Sequence, residues 1–350
     1  MKDALIETLL RLSNLDGHAG NETAVQRAIR PLVEGYVGAL RVDALGNLIT
    51  RKPGTEADGL RVLVTAHMDE VGLMVMGYTS DGCLRVASIG GINARVLPGL
   101  HVRVGADNLP GVIGIQAIHR ANHSSEAAPI NKLAVDIGAK SKDEAEKLAP
   151  LGTTIAFTTQ ARDWGGAVIG KAFDDRVGCA ILVELLRGDP FPADLHGVFT
   201  VQEEVGLRGA QVAAYAVEPD IAISLEGTLA DDLPKPEEDR DSSPTAEIGK
   251  GPAITVMDRS YVTPPWLLRH VIDTAERAGL PYQLKRPGIS GTEAGATHRA
   301  RGGVPAVTIA VPCRYIHGPI ALAQRSDIEH TLALTRAVIA GLTPDVLPET

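Results

Sequence analysis

"LRVLVTAHMDEVG", residues 60–72, is where the chain declares its fold class. Its first part, "LRVLVTAH", is a continuous apolar run, suited to a strand buried on both faces. Such strands belong to parallel sheets covered by helices on either side. The run ends abruptly at His67, Asp69 and Glu70. In an open parallel sheet the ligand crevice lies outside the carboxyl ends of the strands, so polar residues placed there can converge on one site.

Other apolar runs end in the same manner. "HGVFTVQEE" stops at Glu203 and Glu204, "DIAISLEG" carries Glu226, and "GVPAVTIAVPCRYIHGP" delivers His317. "GKAFDDRVGC" sets Asp174 and Asp175 at the head of a helical pattern. Residues 3–12 and "NETAVQRAIRPLVEGY" read as two amphipathic helices before the first strands, the second with Asn21 as its N-cap, and Gly46-Asn47 reads as a hairpin turn. From residue 73 to 166 the texture changes to short alternating runs punctuated by glycine and proline, with "SKDEAEKLAP" as one short helix. Helix and strand signals then alternate again. The expected architecture is an α/β domain, a mixed sheet sandwiched by helices, formed by residues 1–72 and 167–350 and interrupted by a small all-β domain at 73–166.

Bulk properties narrow the function. The chain has 350 residues, long for one core, and its formal charge of -9 comes without any block of lysine and arginine, which argues against a nucleic-acid partner. Cys83, Cys179 and Cys313 are odd in number and far apart, so no disulfide framework or thiolate zinc site is signalled, and all three read as small core residues. The N-terminus lacks the pattern of a signal peptide, and no stretch approaches the roughly 20 apolar residues of a membrane helix. The expectation is a soluble cytoplasmic protein without membrane contact. The biased segment "DDLPKPEEDRDSSP" at 231–244 reads as an exposed loop.

Carboxylates crowded at a sheet edge repel one another unless they are protonated, dispersed or neutralised by cations, and a pair of divalent metals is the economical neutraliser. Two imidazoles among carboxylates suit zinc, cobalt or manganese better than calcium or magnesium. In "HMD", Asp69 shares a face with His67 and can orient its imidazole. In "EE", one glutamate can bind metal while the other stays free to take a proton from water. Taken singly, such dipeptides recur by chance. Asp175 and Glu70 read as a surface ion pair or helix cap, and His18, His101, His119 and His123 as ordinary surface or hydrogen-bonded histidines.

With "AHMDEVGLMV", "RVLPGLHVRV", "GVIGIQAIH", "GKAFDDRVGC", "VQEEVGLRGA", "GTEAGATH" and "GVPAVTIAVPCRYIHGP", the sequence resembles the tetrahedral (TET) aminopeptidases. This family of dinuclear metallopeptidases includes glutamyl aminopeptidases and proteins once labelled endoglucanases. The resemblance runs through nearly the whole chain. It implies the dinuclear zinc-peptidase fold, two divalent metal ions per subunit, zinc or cobalt with manganese as a third possibility, and peptide substrates with a free N-terminus. His67 and Glu226 resemble the terminal ligands of one metal, and Glu204 and His317 those of the other. Asp174 resembles the bridging carboxylate, with a cis peptide to Asp175. Glu203 corresponds to the general base, acting on a water that bridges the metals, and Asp69 to the acid that orients His67. Glu293 is a candidate for a supporting role toward the substrate.

The sequence departs from the family at three places: Glu226 and Glu293 stand where aspartate is usual, and Gly318 where serine follows the histidine. The resemblance also implies that the inserted domain makes dimer contacts and that dimers assemble into a hollow dodecamer. Two alternatives share the same residues: a dinuclear amidohydrolase or deacylase acting on a non-peptide amide, and a catalytically degenerate metal-binding scaffold. A glucanase is disfavoured by the scarcity of aromatic residues, 3% of the chain, for sugar stacking.

Overall fold

A computed structural model describes residues 2–114, 128–233, 244–288 and 290–348. Four parallel strands form the centre of the large sheet, in the order Asp194–Thr200, Arg61–His67, Ile221–Leu229 and Ala306–Arg314. Antiparallel strands extend both sides: Leu48–Arg51 and Ala39–Val42 on one, Ala321–Gln324, Ala167–Gly170 and Arg162–Asp163 on the other. The sheet is therefore mixed, as expected. Thr200 lies opposite His67 and Glu226 opposite Ala310, so the carboxyl ends of these strands reach one edge together.

The apolar run that opens the chain's story is explained by two cores. Val62, Val64 and Ala66 face a large core shared with helices Lys2–Ser13, Thr23–Val33, Phe173–Arg187, Pro265–Ala278 and Arg325–Ala340. Leu63, between them, faces a second core with Ala213, Ala214 and Val217 of helix Arg208–Val217 and Ala294 of the short helix Ala294–Thr297. With period-two alternation, a strand covered on both sides has no polar face to show.

A second body begins immediately after this strand's polar end. Gly72–Tyr78, Leu84–Ile89, Ala134–Asp136, Leu109–Ile113, His101–Val104 and Thr154–Phe157 close into a barrel around its own core, which includes Leu73, Val75, Val102 and Phe157. Helix Lys142–Leu148 lies within "SKDEAEKLAP" and is capped by Ser141, whose hydroxyl accepts from the Glu144 amide at 3.3 Å. The large sheet reclaims the chain at Arg162–Asp163, ahead of the boundary at 166 suggested by the sequence texture.

Several local expectations need correction. The cap position of helix Thr23–Val33 is Glu22, not Asn21; the Glu22 carboxylate instead accepts the amides of Gly20 and Gln202 at 2.8 and 3.1 Å. Cys179 and Cys313 are buried, but Cys83 is only half-buried because it lies in the turn between barrel strands Gly72–Tyr78 and Leu84–Ile89. The interior of 231–244, His119 and His123 lie outside the described residues. Among the described residues, no helix is long and apolar enough to cross a membrane.

Candidate metal centre

His67 ends its strand with the imidazole buried, and its Nε2 lies 3.3 Å from Asp174 Oδ1 and 3.7 Å from Glu226 Oε2. On the other side of Asp174, Oδ2 lies 3.3 Å from His317 Nε2, and His317 Nδ1 lies 3.8 Å from Glu204 Oε2. Asp174 thus offers one oxygen to each imidazole. The ligand atoms form compact groups within 4.8 Å of one another: His67, Asp174 and Glu226; Asp174, Glu204 and His317; and His67, Glu203 and Glu204. Two of these groups share Asp174, the arrangement a bridging carboxylate requires. The third shows that distance alone does not separate Glu203 from Glu204.

Local structure accounts for the convergence. The backbone leaves helical geometry at Asp174 and Asp175, and the peptide between them is cis. Asp175 is fully buried, not at the surface, and caps the continuing helix by accepting from the Gly178 amide at 2.9 Å while also accepting the His67 amide at 3.2 Å. Gln202, Tyr315 and His317 adopt left-handed backbone conformations, a form of local strain that gathers at functional loops. Asp69, buried beneath the loop, lies 3.4 Å from His67 Nδ1, as the HMD spacing suggests. Its oxygens also accept the amides of Glu203 and Glu204 at 3.0 and 3.1 Å, which ties the two polar strand ends together.

Burial pushes the Glu203 and Glu226 carboxyls up and Glu204 to about 7, with neighbouring carboxylates adding to the shift. Burial would lower both histidines, but bonds to Asp174 and nearby negative charge hold His67 high and raise His317 to about 10. For Asp174 desolvation opposes ionisation, yet the two imidazoles outweigh it and hold the carboxyl low. The raised histidines and the mutual repulsion among the glutamates express an excess of negative charge, which divalent cations would relieve. The donor set, nitrogen from two histidines and oxygen from carboxylates, fits zinc, cobalt or manganese.

Above this cluster lies a cleft of about 960 Å³, lined by Asp174, Glu203, Glu204, Glu226 and His317 among others. Glu293 does not line it. Its side chain is fully buried and accepts from the Thr200 hydroxyl, while its backbone amide donates to Glu226 Oε1 at 3.0 Å. The expected substrate contact is therefore replaced by support of Glu226 from below, because the residue precedes a short helix packed into the second core.

Sequence reasoning missed three contributors. The barrel reaches the site through Gly91, whose carbonyl accepts from His317 Nδ1 at 2.8 Å. At Gly90, with φ of +74°, an added Cβ would lie 2.9 Å from Glu204 Oε2 and 2.9 Å from Val71 Cγ1. Gly90→Ala is expected to displace Glu204 and weaken metal binding by about 10-fold or more, measured by competition with a chelator, and to lower the melting midpoint as well, because alanine is strained at a positive φ. Glu70 is not a surface ion pair: it is buried, 2.6 Å from Lys171 Nζ and 3.3 Å from Arg176. His18, read as surface or hydrogen-bonded, is buried beside Glu70, and among the described residues its Nε2 has no hydrogen-bond partner, since the barrel's first strand closes over it at Gly72. His101 is exposed, as expected.

Comparison with known proteins shows the family to which the chain is similar. A family model described as M42 glutamyl aminopeptidase matches residues 46–334. A lysyl aminopeptidase from Pyrococcus furiosus is 30% identical, covering 97% of this chain and 97% of its own. An aminopeptidase from the archaeon Desulfurococcus kamchatkensis superposes with a TM-score of 0.93 at 32% identity, covering 99% of this chain and 97% of that one. A TET1 peptidase from Pyrococcus horikoshii, which can assemble into a tetrahedron or a large octahedral shell, superposes with a TM-score of 0.84 at 31% identity, covering 97% and 100%.

Proposed function

The chain belongs to the M42 glutamyl aminopeptidase family and is a metal-dependent aminopeptidase, and we propose that it works with two divalent ions and Glu203 as general base. The observation that carries this reading is Asp174, whose two oxygens face two separate histidines, each with its own carboxylate. His67 and Glu226 would hold one ion, Glu204 and His317 the other, and Asp174 both. Zinc or cobalt suits this donor set, with manganese as a further candidate. Glutamate at 226 reaches despite its extra methylene because the Glu293 amide anchors its second oxygen.

Bound there, the two ions would polarise the scissile carbonyl and make a water acidic enough to react near neutral pH. The chain's own residues do the rest. Glu203 takes the proton of the attacking water and returns it to the leaving amine. Asp69 holds Glu203 and Glu204 by their amides and keeps the His67 ring turned toward Asp174. The cluster's negative charge favours a substrate with a free, cationic N-terminus.

The barrel and the large α/β body are read as separate domains, at 73–166 and at 1–72 with 167–350, the barrel making dimer contacts within a dodecamer. Support comes from the assembly of the Pyrococcus horikoshii relative. Three unpaired cysteines accord with a cytoplasmic setting. Cleavage of a mixed peptide library, followed by mass spectrometry after chelation and after restoring zinc, cobalt or manganese, tests the activity. Stepwise metal-dependent loss of N-terminal residues is expected, with acetylated peptides resistant. Folded protein that trims no peptide with any metal would refute it, and cleavage confined to acetylated or non-peptide amides would favour a deacylase.

A further inference from the structure

Strand Asp194–Thr200 ends just before Val201, Gln202, Glu203 and Glu204, whose amides lie outside the sheet ladder. Buried amides in such a segment need other acceptors. Here four in succession are taken by side chains from elsewhere in the chain: Val201 by Asn47 Oδ1 at 3.0 Å, Gln202 by Glu22 Oε1 at 3.1 Å, and Glu203 and Glu204 by the two oxygens of Asp69. Asp69 has its place beside His67. Glu22 and Asn47 have none in the chemistry described so far: both are buried, and neither lines the cleft.

Both are held from the N-terminal segment. Glu22 sits at the cap position of helix Thr23–Val33, which Val25, Ile29 and Val33 anchor in the large core. Gln26 of that helix donates to the Gly46 carbonyl at 2.9 Å, next to Asn47. Asn47 Nδ2 donates to Asp43 Oδ2 at 2.7 Å and to the Gly209 carbonyl at 3.0 Å, while the Gly209 amide donates to the Val201 carbonyl at 3.0 Å. The loop 202–208 is thereby closed at its base. Gln202, which precedes Glu203, has φ of +55°, a conformation that a non-glycine residue keeps only where its surroundings impose it. Glu22 supplies that constraint at the Gln202 amide.

We propose that Glu22 and Asn47 are positioning residues for Glu203, holding the strained turn from which its carboxylate reaches the metal cluster. The inference rests on the aminopeptidase reading with Glu203 as base. A reacting group misplaced by about 1 Å loses roughly 10²-fold in rate although substrate and metal still bind.

The effect belongs in kcat, read on the aminoacyl p-nitroanilide that metal-loaded wild type cleaves fastest from a panel covering the common amino acids. Glu22→Met, which removes the acceptor, is expected to lower kcat about 10–100-fold with KM and metal stoichiometry near wild type. Glu22→Gln keeps an oxygen for the amides and should restore most of the rate, which separates lost contact from lost charge. In a Glu203→Gln background, Glu22→Met should change the residual kcat by less than about 2-fold, because no base remains to be positioned. A merely structural weakening would cost the same in both backgrounds. Glu22→Asp keeps the charge but falls a methylene short; it should lower kcat by about 3–10-fold and reads the contact even if Glu22→Met does not fold. Unchanged kcat in Glu22→Asp or Glu22→Met, or an equal fall in both backgrounds, overturns the inference while leaving the peptidase intact. Wild type that cleaves none of the panel, or Glu203→Gln with full kcat, overturns the reading on which it rests.

Discussion

Glu203→Gln is expected to lower kcat by about 10²–10⁴-fold while leaving metal content and melting midpoint near wild type. Glutamine fills the same volume, and the Asp69 contact that positions this residue is made by the backbone amide, so the substitution leaves it in place. What it removes is the ability to accept a proton. Glu204→Gln is the informative contrast. Its carboxylate faces His317 and Asp174, so its loss should release metal, measurable as stoichiometry by inductively coupled plasma mass spectrometry. The pair decides an ambiguity that distance leaves open, because Glu203 also stands within ligand reach of His67. If Glu203→Gln lost metal and Glu204→Gln kept it, the two roles would have to be exchanged; if Glu203→Gln kept full kcat with metal bound, neither assignment of the base would survive.

The largest effect on stability is expected at Glu70. Its carboxylate is buried between Lys171 and Arg176 and accepts the Gly17 amide at 2.9 Å. The Arg176 guanidinium also donates to the carbonyls of Met68 and Leu12 at 2.9 and 2.6 Å. The loop that follows His67 and the segment carrying Asp174 are thereby fastened to the first helix. Glu70→Gln leaves the buried Arg176 without its carboxylate partner and Lys171 with only the half-buried Asp16, 3.1 Å from its ammonium, and should cost about 3 kcal/mol, seen as a fall in the denaturation midpoint. Adding Lys171→Met should recover part of the loss.

The pH dependence has a definite sign. Desolvation alone would raise the Glu70 pKa, but the charges of Lys171 and Arg176 outweigh it and hold it below the ordinary carboxylate range. A carboxylate whose folded pKa is depressed contributes stability above its unfolded pKa, and that contribution disappears as pH falls through the folded value. Wild type should therefore lose stability more steeply on acidification than Glu70→Gln. Parallel midpoints from neutral to acid pH would show that the ion cluster contributes nothing net.

The elements and most members of the candidate metal cluster are legible in the sequence. The run ending at His67 predicted a strand covered on both faces, and cores on either side of Leu63 bear that out. His67, Asp174, Glu204, Glu226 and His317 could be collected because each sits at the end of an element whose periodicity is local, and parallel pairing carries those ends to one edge. Tertiary structure alone decided how the charges are balanced and how closely segments approach. Glu70 resembled any surface acid until Lys171 and Arg176, about a hundred residues further on, enclosed it. Gly90 had no signal because what forbids a side chain there includes Glu204, more than a hundred residues further along the chain. Periodicity is a property of neighbours in the chain, whereas desolvation, counter-charge and close approach belong to residues that meet only after folding.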